Sequence, residues 1–321
     1  MSDRFDFLEL DNKPLRLRTC PAPATSEVAA HAPRPTPHAW RVVEVIGGPG
    51  AGIGQFASPA GLAVDHDGNL YVADSYHHRI QRITPAGDVS ALGRRGAGPG
   101  EFLNPQAVVT DGGLGFYVLE QGGCRIQHFG PQGVWLGGFG CRGSGRGQMF
   151  APMAMARGPD GDLFVADTGN NRIVRWSPDG RFIDQYPAAS PAVQFRPQGI
   201  AVDRAGRICA AETPRHRLLV FDARFRVLGT RGGPGEAPGQ FREPQGLAVT
   251  PAGCVMVADT GNDRIQVLDA EGAPLQAIHG GEGTGGKVGA FNAPSGLATR
   301  GEDEAYVADT GNHRILRLSR S

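Results

Sequence analysis

An acidic residue followed five positions later by an arginine recurs along this sequence. The phrase VADTGNNRI at 165–173 returns as VADTGNDRI at 257–265 and as VADTGNHRI at 307–315. A carboxylate and a guanidinium at this spacing could serve a catalytic site, or they could stabilise a tight turn through charge-assisted hydrogen bonds. A catalytic pair is needed once, whereas a structural pair is needed wherever an architecture repeats. The number of copies therefore distinguishes the two roles.

Alignment on the acid gives six copies, separated by 45 to 50 residues. The six pairs are Asp74/Arg79, Glu120/Arg125, Asp167/Arg172, Glu212/Arg217, Asp259/Arg264 and Asp309/Arg314. Six copies favour a structural role, in which the acid accepts hydrogen bonds from the turn backbone and the arginine supplies its charged partner. The Thr-Gly-Asn between them suits a tight turn with one residue at positive φ.

Each copy reads as four short strands. In the first copy GLAVD (61–65), LYVAD (70–74), RIQRI (79–83) and VSALG (89–93) are separated by turn residues. Four strands in about 46 residues are typical of a β-propeller blade. Upstream of each acid stands a phenylalanine, which we interpret as a wedge between blades, and then a proline. These pairs are Phe56/Pro59, Phe102/Pro105, Phe150/Pro152, Phe195/Pro197, Phe241/Pro244 and Phe291/Pro294.

The two ends of the repeat region complement each other. The last copy stops after its third strand, RILRLSRS (314–321), and WRVVEVIG (40–47) precedes the first copy. We therefore predict an all-β, six-bladed propeller over residues 40–321, closed by the strand at 40–47 and preceded by an arm at 1–39. Closure of the ring removes exposed sheet edges at the seam. The predicted repeats lie near 54–93, 100–140, 147–186, 193–232, 239–280 and 289–321.

The repeated phrase GQFxxPxGLAV…LYVADTGNxRIQxF resembles the NHL repeat family. The resemblance covers residues 40–321 and implies a six-bladed propeller, in agreement with the six copies. One NHL relative, the peptide-amidating lyase, is an enzyme, and the resemblance to it implies zinc-binding histidines directly after the proline in three blades. Here those six positions hold Ala60, Gln106, Met153, Gln198, Gln245 and Ser295. We therefore expect no metal and no cofactor, although Tyr76 resembles a tyrosine of that family.

Bulk composition narrows the remaining functions. The formal net charge is zero, so nothing global directs the chain to nucleic acid or an anionic membrane. Five cysteines without a C-x-x-C fit a reducing compartment. No run of about 18 apolar residues and no secretory signal are present, so we expect a cytoplasmic protein without a membrane span.

The top face, which carries the turns between second and third strands and the loops between blades, is the candidate binding face. Its inter-blade loops hold eight basic residues against four glutamates, whereas the opposite turns lean acidic. The candidate binding residues are Tyr76, His78, Arg94, Arg95, Gln106, Arg142, Arg146, Gln198, Arg242, Gln245 and His313. Histidine, cysteine and aspartate directly before the turn arginines also allow a metal hypothesis, but they stand on separate turns.

The arm has an alternating apolar pattern, FDFLEL-DNKP-LRLRT (5–19), followed by a Pro/Ala-rich spacer. Its apolar residues Phe5, Phe7, Leu8, Leu10, Leu15 and Leu17 predict a docking hairpin or an added strand, against the alternative of a loose terminus. We expect a non-enzymatic scaffold that binds a protein partner through the propeller face and this arm. The alternatives are single-stranded RNA binding on the top face, as in some animal NHL domains, and a metal-dependent lyase or hydrolase.

Overall fold

A computed structural model of the protein, which describes residues 39–187, 194–283 and 286–320, contains six four-stranded antiparallel sheets arranged as a propeller. The first five blades are continuous in sequence. Their strands are Pro59–Val64, Leu70–Asp74, Arg79–Ile83 and Val89–Leu92; Pro105–Thr110, Phe116–Glu120, Arg125–Phe129 and Trp135–Phe139; Ala154–Arg157, Leu163–Asp167, Arg172–Trp176 and Phe182–Tyr186; Pro197–Val202, Ile208–Glu212, Arg217–Phe221 and Val227–Gly232; and Pro244–Val249, Val255–Asp259, Arg264–Leu268 and Pro274–Ile278.

The sixth blade joins the two ends of the propeller. Strands Pro294–Arg300, Glu304–Asp309 and Arg314–Arg320 are completed by Trp40–Ile46, which pairs antiparallel with Arg314–Arg320. The predicted closure is confirmed. The first strand of the sixth blade also contacts the first strand of the first blade, so the inner strands form an unbroken ring.

Short elements complete the described part of the chain. Two small ladders pair Cys141–Arg142 with Gln148–Met149 and Gly280–Gly283 with Gly286–Ala290. Five 3-10 turns occur at Pro131–Gly133, Thr168–Asn170, Thr213–Arg215, Thr260–Asn262 and Thr310–Asn312. None of the helical segments among the described residues has the length and apolar character needed to cross a bilayer.

The hydrophobic core is divided into six layers, one between each pair of neighbouring blades. A blade is only one sheet thick, so it can bury its two faces only against the blades beside it. Each layer receives one large side chain from the loop that precedes an inner strand. These wedge residues are Phe56, Phe102, Met149, Phe195, Phe241 and Phe291, and none is more than 3% exposed.

The wedge predicted at Phe150 is wrong. Met149 is fully buried at that position, whereas Phe150 is 44% exposed. The sequence is Gly147-Gln148-Met149, so the methionine occupies the register that Phe56 and Phe241 hold after Gly-Gln in the first and fifth blades. Met149 keeps the three-residue distance to Pro152 that Phe56 keeps to Pro59, and an unbranched thioether fills the same space.

Close backbone contact between inner strands fixes the central channel. A Cβ added at Gly199 would lie 1.7 Å from the Gln245 carbonyl oxygen, and one at Gly246 would lie 1.7 Å from that of Ser295. At Gly296 the corresponding distance, to the Ala60 oxygen, is 1.8 Å. Only glycine allows this approach. The Pro-x-Gly pattern of these blades therefore places the x residues of neighbouring blades close together.

Candidate functional site

The repeated acid and arginine join the turn between the second and third strands to the preceding inter-blade loop. In the fifth blade Asp259 accepts the Arg264 Nε–H at 2.7 Å and the backbone N–H of Arg242 at 2.7 Å. The other guanidinium nitrogens of Arg264 donate to the carbonyls of Glu236, Ala237 and Gln240. Since both side chains are at least 95% buried, the pair acts as a buried staple between turn and loop.

The same ion pair occurs in every blade, with Nε to carboxylate distances of 2.6–2.7 Å. All six carboxylates are at most 1% exposed. Burial raises the pKa of Asp167, against the opposing effect of hydrogen bonds from Asn170, the Phe150 N–H and Arg172. The six carboxylates are therefore buried and internally satisfied, and they are not accessible to a ligand.

The residue before each turn arginine has a left-handed backbone. The six positions have φ between 49° and 57°, and they hold His78, Cys124, Asn171, His216, Asp263 and His313. The side chains of four of them accept a backbone N–H from the next blade. His78 Nδ1 accepts from Asn104, His216 Nδ1 from Glu243, Asp263 from Ala293 and His313 Nδ1 from Ser58. The histidines are therefore latches between blades.

A second latch lies beside the first and was missed by the sequence analysis. A serine or threonine follows the acid in five blades, and its hydroxyl donates to the carbonyl of the proline that begins the next blade, at 2.5–2.7 Å. These pairs are Ser75 to Pro105, Thr168 to Pro197, Thr213 to Pro244, Thr260 to Pro294 and Thr310 to Pro59. The recurrence of a hydroxyl residue directly after the acid was the available signal.

A cavity of about 400 Å³ opens at the centre of the top face. We call it the channel mouth. The residue after the first-strand proline of each blade lines it, so that Gln106, Gln198 and Gln245 lie together with Ala60, Met153 and Ser295. Tyr76 also lines it and is 74% exposed. Apart from Tyr76, the described residues that line the mouth carry no titratable side chain.

The amides around the mouth differ in their partners. On one side Gln106 donates to Asn104, Asn104 donates to Gln121, and Gln121 donates to the Met153 sulfur. On the other side Gln198 and Gln245 are half-buried, and their side chains make no hydrogen bond within the described residues. The three glutamines are equivalent in the sequence pattern. Only the packing shows that Gln106 is hydrogen-bonded to its neighbours, whereas Gln198 and Gln245 are open.

The arginines proposed for the top face fall into two groups. Arg94 is paired with Glu101 at 2.9 Å, Arg142 lies over the Phe150 ring and Arg146 over the Phe182 ring. Arg95 and Arg242 have no ion pair within the described residues. Arg231 is one of the eight basic residues that the sequence places in the inter-blade loops. It instead lines a cavity with Asp203 and Asp269 in turns of the opposite face. The top face is therefore less basic than the loop sequences indicate.

Two further expectations concern metals and the arm. No group of three or more His, Cys, Asp or Glu residues that could hold a metal ion occurs within the described ranges. Four described cysteines are free thiols: Cys124, Cys141, Cys209 and Cys254.

The predicted docking arm, with Phe5, Phe7, Leu8, Leu10, Leu15 and Leu17, lies outside the described residues.

Comparison with known proteins agrees with this architecture. The NHL repeat family matches residues 56–83, 196–221 and 241–268, and a comparison with curated proteins gives no match. Among solved structures, a catalytically inactive virginiamycin B lyase from Staphylococcus aureus with quinupristin is 16% identical with a TM-score of 0.59, over 84% of this chain and 82% of that one.

Two other solved structures are similar to this chain. The PQQ-bound aldose sugar dehydrogenase of Streptomyces coelicolor is 20% identical with a TM-score of 0.58, over 90% of this chain and 100% of that one. A protein of unknown function from Bacteroides thetaiotaomicron reaches a TM-score of 0.69 at 14% identity, over 88% and 76% of the two chains. At these identities the likeness concerns the fold alone.

Proposed function

Since this chain is a six-bladed β-propeller of NHL repeats, we propose that it is a non-enzymatic binding module that receives a protein partner at the channel mouth. The observation that carries this proposal is the chemistry of the mouth. Its lining consists of amides, hydroxyls, thioethers and apolar groups, with Tyr76 as the titratable side chain among the described lining residues. General acid–base or nucleophilic catalysis requires paired titratable groups within hydrogen-bond reach.

The rigidity of the mouth supports a role in recognition. Inner strands in van der Waals contact and two latches between most blades hold the lining residues in place. A preorganised surface loses little conformational entropy when it binds. The proposal includes the N-terminal arm as a second contact, on the basis of its alternating apolar sequence, and a cytoplasmic setting, in keeping with free thiols at Cys124 and Cys209.

A capture experiment tests the proposal. The full chain, immobilised and exposed to nuclease-treated lysate of its native host, should retain a stoichiometric protein identified by mass spectrometry. Ala60→Trp, which fills the channel mouth, should abolish capture, whereas Ala91→Trp on an exposed outer strand should not. Capture that survives Ala60→Trp would move the interface away from the mouth. A partner that is captured from untreated lysate but not from nuclease-treated lysate would favour the RNA-binding alternative.

Residues 40–321, which hold all six blades, test the arm separately. If the partner remains bound to the full chain but is lost from residues 40–321, the arm contributes to docking. If both retain it equally, the arm has no part in that interaction and the mouth alone accounts for it.

A further inference from the structure

The two carboxamides without a hydrogen-bond partner lie on one side of the channel mouth. Gln198 of the fourth blade and Gln245 of the fifth are half-buried carboxamides without a partner in the described part of the chain. Across the mouth, the Gln106–Asn104–Gln121–Met153 series is satisfied internally. A ligand that bonds a pair of carboxamides would therefore bind over the fourth and fifth blades.

The positions of these two amides are fixed by the backbone. Gly199 follows Gln198 and lies against the carbonyl oxygen of Gln245, where a Cβ would be only 1.7 Å away. Inner strands in such contact cannot slide or separate without losing the packing of the layer between them. The two carboxamides are thus presented side by side from adjacent strands.

Two arginines without ion pairs flank the same blades. Arg196 directly precedes Pro197, Arg242 precedes Pro244 by two residues, and both are exposed. Neither guanidinium has an ion pair or hydrogen bond within the described residues. In contrast, Arg215 on the nearby turn is already paired with Glu212. The acid nearest to them in sequence is Glu243, which directly follows Arg242 and is exposed, so the summed charge of Arg196, Arg242 and Glu243 is positive.

A single ligand chemistry satisfies both features. A carboxamide has one acceptor and two donors, which complement the N–H and C=O of an extended peptide backbone. A guanidinium forms a planar, bidentate pair with a carboxylate. Resting on the proposed function, we propose that the occupant of the channel mouth is an extended acidic segment of the partner polypeptide. Its backbone bonds Gln198 and Gln245, and its carboxylates pair with Arg196 and Arg242.

Selection from a library of random 12-residue peptides displayed on phage tests this inference with the immobilised full chain. The selected peptides should carry more Asp and Glu than the starting library. The excess should disappear with Arg196→Ala/Arg242→Ala. It should persist with Arg204→Ala/Arg224→Ala, which removes two exposed arginines from turns of the opposite face in the fourth blade. For the best peptide, Gln198→Ala/Gln245→Ala should weaken binding about tenfold, as expected for two hydrogen bonds.

Several outcomes would overturn the inference. The selected peptides could be neutral or basic, no peptide could be selected, or the acidic excess could survive Arg196→Ala/Arg242→Ala. A pool of single-stranded RNA is tested with the same protein. If the RNA binds, its binding is lost in Arg196→Ala/Arg242→Ala and no peptide is selected, the two arginines bind phosphate groups and not peptide carboxylates. If the native partner is lost with Ala60→Trp but its bound segment, mapped by crosslinking, has no acidic excess, this inference fails and the proposed function stands.

Discussion

At the scale of single residues, the fold depends on a few buried polar groups that repeat with the blades. In the sequence the acid and the arginine resemble a catalytic pair, but their burial indicates a structural role. A buried ion pair is not by itself strongly stabilising, because desolvation opposes the Coulomb attraction. Removal of one partner is costly, however, because the other charge is left buried and unpaired. The intact pair therefore adds little stability to a blade, but a blade that loses one of the two partners is strongly destabilised.

Asp259→Ala should destabilise the protein strongly, because Arg264 would keep a charge that is 5% exposed without its carboxylate. We expect a loss of about 3–5 kcal/mol in the free energy of unfolding, measured by urea denaturation. Arg226→Ala is the matched control. It breaks a carboxylate–guanidinium pair with Asp222 in which the arginine is 78% exposed, and such pairs contribute about 0–1 kcal/mol. Equal losses in the two variants would contradict the staple.

The His78 latch predicts a dependence of stability on pH. Protonation of His78 at Nδ1 removes the acceptor for the Asn104 N–H. Burial, together with Arg95 and His77, lowers the pKa of His78 from its ordinary 6.5. Since the unfolded state then takes up the proton first, the contribution of this latch is complete above the unfolded pKa and is lost as the pH falls through the folded pKa.

His78→Asn tests this latch, because asparagine tolerates the left-handed backbone and keeps an amide oxygen as acceptor. The urea midpoint of the variant should fall less than that of the unchanged protein between pH 7.5 and pH 5. The same fall in both proteins would show that the His78 latch does not titrate in this range. His216 and His313 are present in both proteins, so they do not contribute to the difference between them.

At the scale of elements, the blade is a unit that cannot stand alone. Its two faces belong to different core layers, and the wedge residue fills the gap where neighbouring blades diverge from the channel. This explains why a single methionine can replace phenylalanine in the third blade: the position requires volume and flexibility more than an aromatic ring.

Met149→Ala and Phe150→Ala should separate the two candidates for that wedge. Met149 is fully buried between the second and third blades, so its truncation should cost about 2–5 kcal/mol. Phe150 is 44% exposed and lies under the Arg142 guanidinium, so its truncation should cost about 1 kcal/mol or less. Thermal and urea unfolding of both variants measure the difference. A larger effect at Phe150 would restore the original assignment of the wedge.

At the scale of the whole molecule, one strand from the N-terminal side closes the ring. Trp40 and Val42 are each 5% exposed and belong to the core layer between the fifth and sixth blades. Across the neighbouring seam, His313 bonds the Ser58 N–H and Thr310 bonds the Pro59 carbonyl. Closure therefore combines a strand pairing with the same latches that join the other blades.

Removal of the closing strand should unfold the propeller. A chain of residues 47–321 loses Trp40 and Val42 from the core and exposes the edge of Arg314–Arg320. The lost Trp40 side chain alone corresponds to about 3–5 kcal/mol, a large part of the 5–15 kcal/mol typical of a domain. Near-UV circular dichroism and urea unfolding compare residues 47–321 with residues 40–321. Equal stability of the two chains would mean that closure is dispensable.

The sequence alone is enough to predict the repeat number, the strand pattern and the closure of the ring. These follow from local signals, namely turn residues, short apolar runs and a motif spaced by one blade. It also identified the acid–arginine pairs, because their spacing alone brings them together across a two-strand turn. The packing of the blades was needed to show that Met149 and not Phe150 is the wedge. It also decided that three histidines bond the backbone of the next blade, and that Gln198 and Gln245 are open while Gln106 is engaged. Each of these depends on contacts between blades, where residues far apart in sequence meet, and the local sequence carries no record of which neighbour fills the space.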